Sequence, residues 1–182
     1  MNEEIEVLKI VTERLNKAGF PYMISGSMAG NYYTVPRMTR DIDIVIELRD
    51  IDVDKFVGLF KDDFYTDKEM IKKEVLRKRM FNLIHNRYII KIDFIILKKS
   101  IFQKLAFGRR KKILIENKPM WFITAEDLIL SKLLWAKASF SETQLKDIGN
   151  LFKTVKDMDK DYIEHWIKKL ELYDVYEKVE KK

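Results

Sequence analysis

The sequence predicts an α+β protein, with an α+β core over residues 1–123 and a helical part over residues 124–182. Two observations carry this. Residues 41–48 and 79–97 alternate apolar and polar side chains with the period of two that a half-buried strand requires. From Thr124 onward the apolar residues recur at helical spacing to the end of the chain. The length of 182 residues suits one domain, or one small core with a helical appendage.

The elements follow in order. Ile5, Leu8, Val11 and Leu15 predict a helix over 3–18, stopped by Gly19 and Pro21. Tyr22-Met23-Ile24 reads as a short strand entering a Ser25-Gly26-Ser27 turn, with a helix over 27–33 and a Pro36-containing loop over 34–40. Asp41 to Leu48 is a strand. Residues 52–60 form a helix with Asp52 as N-cap and Val53, Phe56, Val57 and Phe60 inward. A short helix is expected over 67–76. Residues 79–85 and 87–97 read as a hairpin turning at Asn86, and 110–115 and 118–123 as strands joined at Asn117. Helices follow over 124–138, 141–155, 159–169 and 171–180. Thr124 with Asp127 makes a capping box before Leu128-Ile129-Leu130.

Composition narrows the function classes. Apolar residues make up 47% and charged residues 35%, enough for a core and too ordered a mixture for a disordered tail. There is no cysteine, which excludes a disulfide scaffold, a Cys zinc site and a Cys nucleophile. No apolar run is long enough to span a bilayer, and the N-terminus does not read as a signal peptide, so a soluble cytoplasmic protein without a membrane partner is expected. The net charge of +6 is uneven. Residues 61–120 hold 17 Lys/Arg against 7 Asp/Glu, whereas both flanking thirds are slightly acidic. Arg109-Arg110-Lys111-Lys112, with Arg77-Lys78-Arg79 upstream, reads as a grip for a nucleic-acid backbone or as a charged edge that discourages aggregation.

The chemistry lies in Gly26-Ser27 followed by Asp41-Ile42-Asp43-Ile44. On a strand, Asp41 and Asp43 share a face while Ile42 and Ile44 enter the core. Paired carboxylates repel unless a cation sits between them, and Mg²⁺ with oxygen ligands relieves this. Glycine at a strand-to-helix turn lets a ligand approach the backbone, and a helix N-terminus favours phosphate. Asp93 lies on another strand whose opposite face is apolar, with Lys91 on its own face. His85 and His165 are too far apart in sequence to suggest a metal pair. Trp121, Trp135 and Trp166 read as core, and Met23, Met28 and Met38 as packing residues.

These residues resemble the DNA polymerase β-type nucleotidyltransferase superfamily. The stretch Arg37-x-Thr39-Arg40-Asp41-Ile42-Asp43, with Lys91-x-Asp93, is closer to its AbiEii-type branch of toxin and abortive-infection nucleotidyltransferases. Thr124-Ala125-Glu126-Asp127-Leu128 with Lys132 resembles the entry to that branch's helical half. The resemblance implies a mixed β-sheet with helices packed on one face. It implies transfer of NMP from an NTP to a hydroxyl by a two-metal mechanism. Asp41, Asp43 and Asp93 would be the catalytic Mg²⁺ ligands, with Mn²⁺ as a substitute. Gly26, Ser27, Lys91, Arg37, Arg40 and Lys132 would bind the nucleotide. The acceptor is left open among RNA such as a tRNA end, a small molecule and a protein hydroxyl, and so is a cognate partner protein. The alternative is a catalytically inactive nucleotide-binding or antitoxin-like module of the same fold.

Overall fold

The computed structural model describes residues 2–39, 41–139 and 141–180. These fall into two units. The first comprises residues up to Met28 and Met38–Phe122; the second comprises Ala29–Arg37 and the chain from Ile123. Residues 29–37, inside the core segment as divided from sequence, therefore cluster with the C-terminal helices.

The first unit is built on seven strands: β1 (Tyr22–Ile24), β2 (Asp41–Ile46), β3 (Phe64–Tyr65), β4 (Met80–His85), β5 (Lys91–Ile96), β6 (Lys111–Ile115) and β7 (Lys118–Phe122). Their order is β3-β4-β5-β2-β1-β7-β6. The sheet is mixed, because β2 runs parallel to β5 and β1 parallel to β7, while the other neighbours are antiparallel. Helices α1 (Asn2–Ala18), α3 (Val53–Phe60), α4 (Lys68–Leu76) and α5 (Ile101–Arg109) also belong to this unit.

One face of the central strands is wholly apolar. Ile42, Ile44 and Ile46 of β2 and Ile92, Phe94 and Ile96 of β5 are all buried. Phe56 of α3 packs edge-on against Phe81 and Phe94, at 5.5 and 5.1 Å between ring centroids, and Phe81 stacks on Phe94 at 5.3 Å. Such contacts add to the area term and fix ring orientation. The cluster anchors β4 and β5 from behind.

Helix α2 (Gly26–Tyr33) begins in the first unit and ends in the second. The second unit also holds α6 (Ala125–Ser139), α7 (Glu142–Thr154), α8 (Lys160–Lys169) and α9 (Tyr173–Glu180). The capping box forms as expected: the Asp127 amide donates to Thr124 Oγ1 at 3.2 Å, and the Thr124 hydroxyl donates to Asp127 Oδ2 at 2.9 Å. Tyr162 of α8 donates to Asp127 Oδ1 at 2.6 Å, so one buried carboxylate ties α6 to α8. Among the described residues no helix is long and apolar enough to cross a membrane.

Several sequence expectations are corrected. Helix α5 and the two-residue strand β3 were not anticipated, because their apolar residues show too little periodicity over too short a span. The strand expected over 87–97 begins only at Lys91, since residues 86–90 form a turn in which Ile89 takes φ +53°. Asp52 precedes α3 but makes no capping hydrogen bond; its carboxylate pairs with Arg49 at 2.7 Å instead. Trp135 is 62% exposed and Met38 86% exposed, so neither is a core residue.

Candidate active site

The six-residue alternation of β2 and its parallel register with β5 create the site. Asp41 pairs with Lys91 and Asp43 with Asp93. Paired residues project from the same face, so three carboxylates and one ammonium stand on the face opposite the isoleucines. Exposure falls steeply across them: the Asp41 side chain is 54% exposed and that of Asp93 only 9%. Lys91 Nζ lies 2.9 Å from Asp93 Oδ2 and 3.7 Å from Asp41 Oδ1. The hydrogen bond to Asp93 raises the Lys91 ammonium above its ordinary pKa against the opposing effect of burial, and the charges of Asp93, Asp41 and Asp43 add to the rise. Asp93 Oδ1 is buried and accepts no hydrogen bond among the described residues.

Gly26 closes the site from the β1 side. The Ser25 amide donates to the Asp43 carbonyl at 2.9 Å, which ties the end of β1 to β2. The next residue, Gly26, takes φ +58°, a region that favours glycine, and starts α2. A Cβ at Gly26 would come within 2.8 Å of Asp43 Cβ and overlap its carboxylate. Ser27 is half-buried in the first turn of α2. A helix N-terminus beside carboxylates is a place where phosphate and a divalent cation can be held together.

Two of the remaining expected residues share a partner within the second unit. Lys132 and Arg37 belong to the second unit, and both meet Asp147 of α7. Buried Lys132 donates to Asp147 Oδ2 at 2.9 Å and to Gln144 Oε1 at 3.0 Å. Arg37 donates to Asp147 through Nε at 3.2 Å and Nη2 at 3.0 Å, and its backbone is clasped by Asn31. Burial would push the Asp147 carboxyl up, but the hydrogen bonds and charges of Arg37 and Lys132 hold it below the usual carboxylate range. Arg40 lies outside the described residues. Sequence reasoning missed Asp147; its one signal was a lysine inside the apolar run 128–136, which needs a buried anionic partner. His85 projects from the opposite face of β4, against Phe64 and Tyr88, and takes no part in the acid cluster.

Carboxylate oxygens are the donors a hard divalent cation takes. Three carboxylates share one face of the paired strands, and Asp93 Oδ1 has no hydrogen-bond partner among the described residues. Among the described residues no three of Asp, Glu and His are drawn closely enough together to hold one ion as they stand. Lys91 Nζ, between Asp41 and Asp93, supplies the local positive charge.

No family model matches the chain, and no curated protein matches its sequence. Solved structures do match. A nucleotidyltransferase-like antigenic protein of Paracoccidioides brasiliensis superposes with a TM-score of 0.60 at 14% identity, over 96% of this chain and 90% of that one. The lincosamide antibiotic adenylyltransferase LnuA, bound to lincomycin, gives 0.55 at 15% identity, over 85% and 98%. ANT(2'')-Ia in complex with adenylyl-2''-tobramycin gives 0.55 at 13% identity, over 97% and 99%.

The fold is the nucleotidyltransferase fold.

On this fold the acids lie on the central strands β2 and β5, and Gly26 follows β1 at the start of α2.

Proposed function

We propose that this chain is a Mg²⁺-dependent nucleotidyltransferase that moves NMP from an NTP to an acceptor hydroxyl. The observation that carries the reading is the shared face of Asp41, Asp43 and Asp93, set by strand register, with Gly26 packed on Asp43. In this reading the three acids hold Mg²⁺, which when bound neutralises phosphate charge and eases deprotonation of the acceptor. Gly26, Ser27 and the first turn of α2 receive the β- and γ-phosphates, and Lys91 adds a positive charge beside them. Arg37, Arg40 and Lys132 belong to the same proposal as nucleotide-binding residues.

The acceptor oxygen forms a bond to the α-phosphorus. The bond from that phosphorus to the α,β-bridging oxygen breaks, and pyrophosphate leaves with the electron pair. Asp93, the most buried acid, takes the hydroxyl proton. The AbiEii-type motif Arg37-x-Thr39-Arg40-Asp41-Ile42-Asp43 supports a toxin-like transfer to RNA as a second reading. Its support in the fold is the basic run entering β6, where Arg110 and Lys112 both lie 5.1 Å from the Trp121 ring.

The test is thermal unfolding with each NTP, with and without Mg²⁺, alongside pyrophosphate release. A nucleotide at about 100 times its dissociation constant adds roughly 2.7 kcal/mol, a shift of several degrees. The expected shift requires Mg²⁺ and is lost in Asp43→Asn. Nucleotide binding without pyrophosphate release on any acceptor would make the chain an inactive module. No nucleotide binding would overturn the proposal.

A further inference from the structure

The acid-bearing face of β4, β5 and β2 carries more than acids. Cross-strand pairing sets Met80 against Ile95, Asn82 against Asp93 and Ile84 against Lys91, and at the edge of the sheet Tyr65 pairs with Ile84. Directly paired residues project together, so Tyr65, Ile84, Met80 and Ile95 make an apolar floor beside the carboxylates. Tyr65 is 61% exposed and Met80 46% exposed, while Ile84 and Ile95 are half-buried. The opposite face of the same strands is the covered one, with Phe81, Leu83, Phe94 and Ile96 buried. An exposed apolar patch continuous with a reactive carboxylate calls for a ligand.

Asn82 stands in the middle of this floor. The Ile96 amide donates to the Arg79 carbonyl, and the His85 amide to the Ile90 carbonyl. That phase makes Asn82 and Asp93 a non-hydrogen-bonded pair, the closer kind, with Cα atoms about 4.5 Å apart. The Asn82 carboxamide makes no hydrogen bond among the described residues, and its neighbour Asp93 Oδ1 is buried without one. A buried carboxylate oxygen thus lies beside a half-buried carboxamide on an apolar surface, and for the buried oxygen an unmade hydrogen bond is costly.

Charge decides the class of ligand. Among the described residues, Lys91 is the one cation on this face of the three strands, and it already pairs with Asp93 and Asp41. The basic runs lie off it: Arg77-Lys78-Arg79 precedes β4, and Arg109–Lys112 leads into β6, five strand positions away or about 24 Å. A polyanion draws its affinity from cations along its backbone, and among the described residues these strands offer it only Lys91, already paired with two carboxylates.

We infer that Asn82 and the apolar floor form the acceptor subsite, and that the acceptor is a small, non-anionic alcohol with an apolar body. Its reacting hydroxyl meets Asp93, a second polar group meets the Asn82 carboxamide, and its apolar side lies on Ile84, Met80 and Tyr65. The inference rests on the nucleotidyl-transfer reading above and names the substrate class of that site.

The probe is phenyl β-glucoside, an uncharged molecule with several hydroxyls and one apolar ring; an RNA oligonucleotide with a free 3′-hydroxyl is the polyanionic comparison. Amide spectra of the full chain, without nucleotide or metal, should shift at residues 80–84 and 93–95 when the glucoside is added. Asn82→Ala should weaken that binding about tenfold, the loss of one hydrogen bond. Met80→Lys, at an exposed position that does not threaten folding, should weaken it comparably. With Mg²⁺ and labelled NTP, label should appear on the glucoside. Absence of shifts on this face, indifference to both substitutions, or tighter RNA binding at the same residues would each overturn the inference. Binding of Mg²⁺–NTP to the wild-type protein separates the two failures. If NTP binds and the glucoside ignores the face, this inference alone falls; if NTP does not bind, the donor reading falls and takes the inference with it.

Discussion

Gly26 and Asp43 are packed so closely that the glycine hydrogen occupies the only space a side chain could take. A Cβ on Gly26 would overlap the Asp43 carboxylate, and the residue also sits at φ +58°. Gly26→Ala therefore meets two penalties at once. The left-handed backbone strain costs about 1–3 kcal/mol, and the clash must turn Asp43 away from Asp93. A lower melting temperature together with loss of the Mg²⁺–NTP shift is expected. A variant that melts lower and still binds Mg²⁺–NTP like wild type would show that Asp43 need not hold its present position.

Lys132 is buried against Asp147, and removing the carboxylate strands the ammonium. Asp147→Ala should destabilise the chain by about 3–5 kcal/mol, because Lys132 stays buried without its counter-ion. Lys132→Met combined with Asp147→Leu should recover much of that loss. Denaturant unfolding of the two single variants and the double variant closes the cycle.

Phe94 stands directly behind the acids, between Phe56 and Phe81. Phe94→Ala should cost about 3–5 kcal/mol through lost burial and the cavity left behind. Phe94→Leu should cost less and keep nucleotide binding, since β5 would still be anchored. Equilibrium unfolding measures the first effect and the NTP shift the second.

His85 predicts a pH response in the turn before β5. Its Nδ1 accepts from the Arg87 amide at 3.3 Å and the Tyr88 amide at 3.2 Å, so the ring is neutral with its proton on Nε2. Burial lowers its pKa, with Arg14 and Arg87 acting the same way and Asp63 opposing. A folded-state pKa below the unfolded value of about 6.5 means the contribution is complete above that pH and is lost as pH falls from there through the lower folded-state value. The melting temperature should drop between pH 7.5 and 5, and the Arg87 and Tyr88 amides should lose exchange protection relative to their intrinsic rates at the acid end. His85→Gln should flatten the dependence.

Residues 41–48 show how far local pattern reaches. The alternation Asp-Ile-Asp-Ile made both the strand and the common face of Asp41 and Asp43 readable, because side-chain period is a property of the backbone alone. Thr124 and Asp127 were readable for the same reason, since a cap closes within one turn. Asn82 was unreadable as a site residue, because its meaning depends on an antiparallel register with Asp93. Asp147 was hidden likewise: nothing near it in sequence says that Lys132, on another helix, ends beside it. Helix α5 escaped because its apolar residues lack a clear helical stripe, and its packing rather than its pattern decides it.

The sequence by itself determined which residues are able to carry chemistry: the Gly26-Ser27 turn, the paired aspartates and the strand bearing Lys91 and Asp93. These are local features, governed by backbone period, glycine's freedom and charge. Only the tertiary structure decided which of them meet. Sheet order brought β2 beside β5, placed Lys91 between Asp41 and Asp93, left an apolar floor open around Asn82 and put the two basic runs five strands apart. Contacts between residues far apart in the chain depend on which strands pair and in what register, and that is settled by burial of the whole apolar face at once.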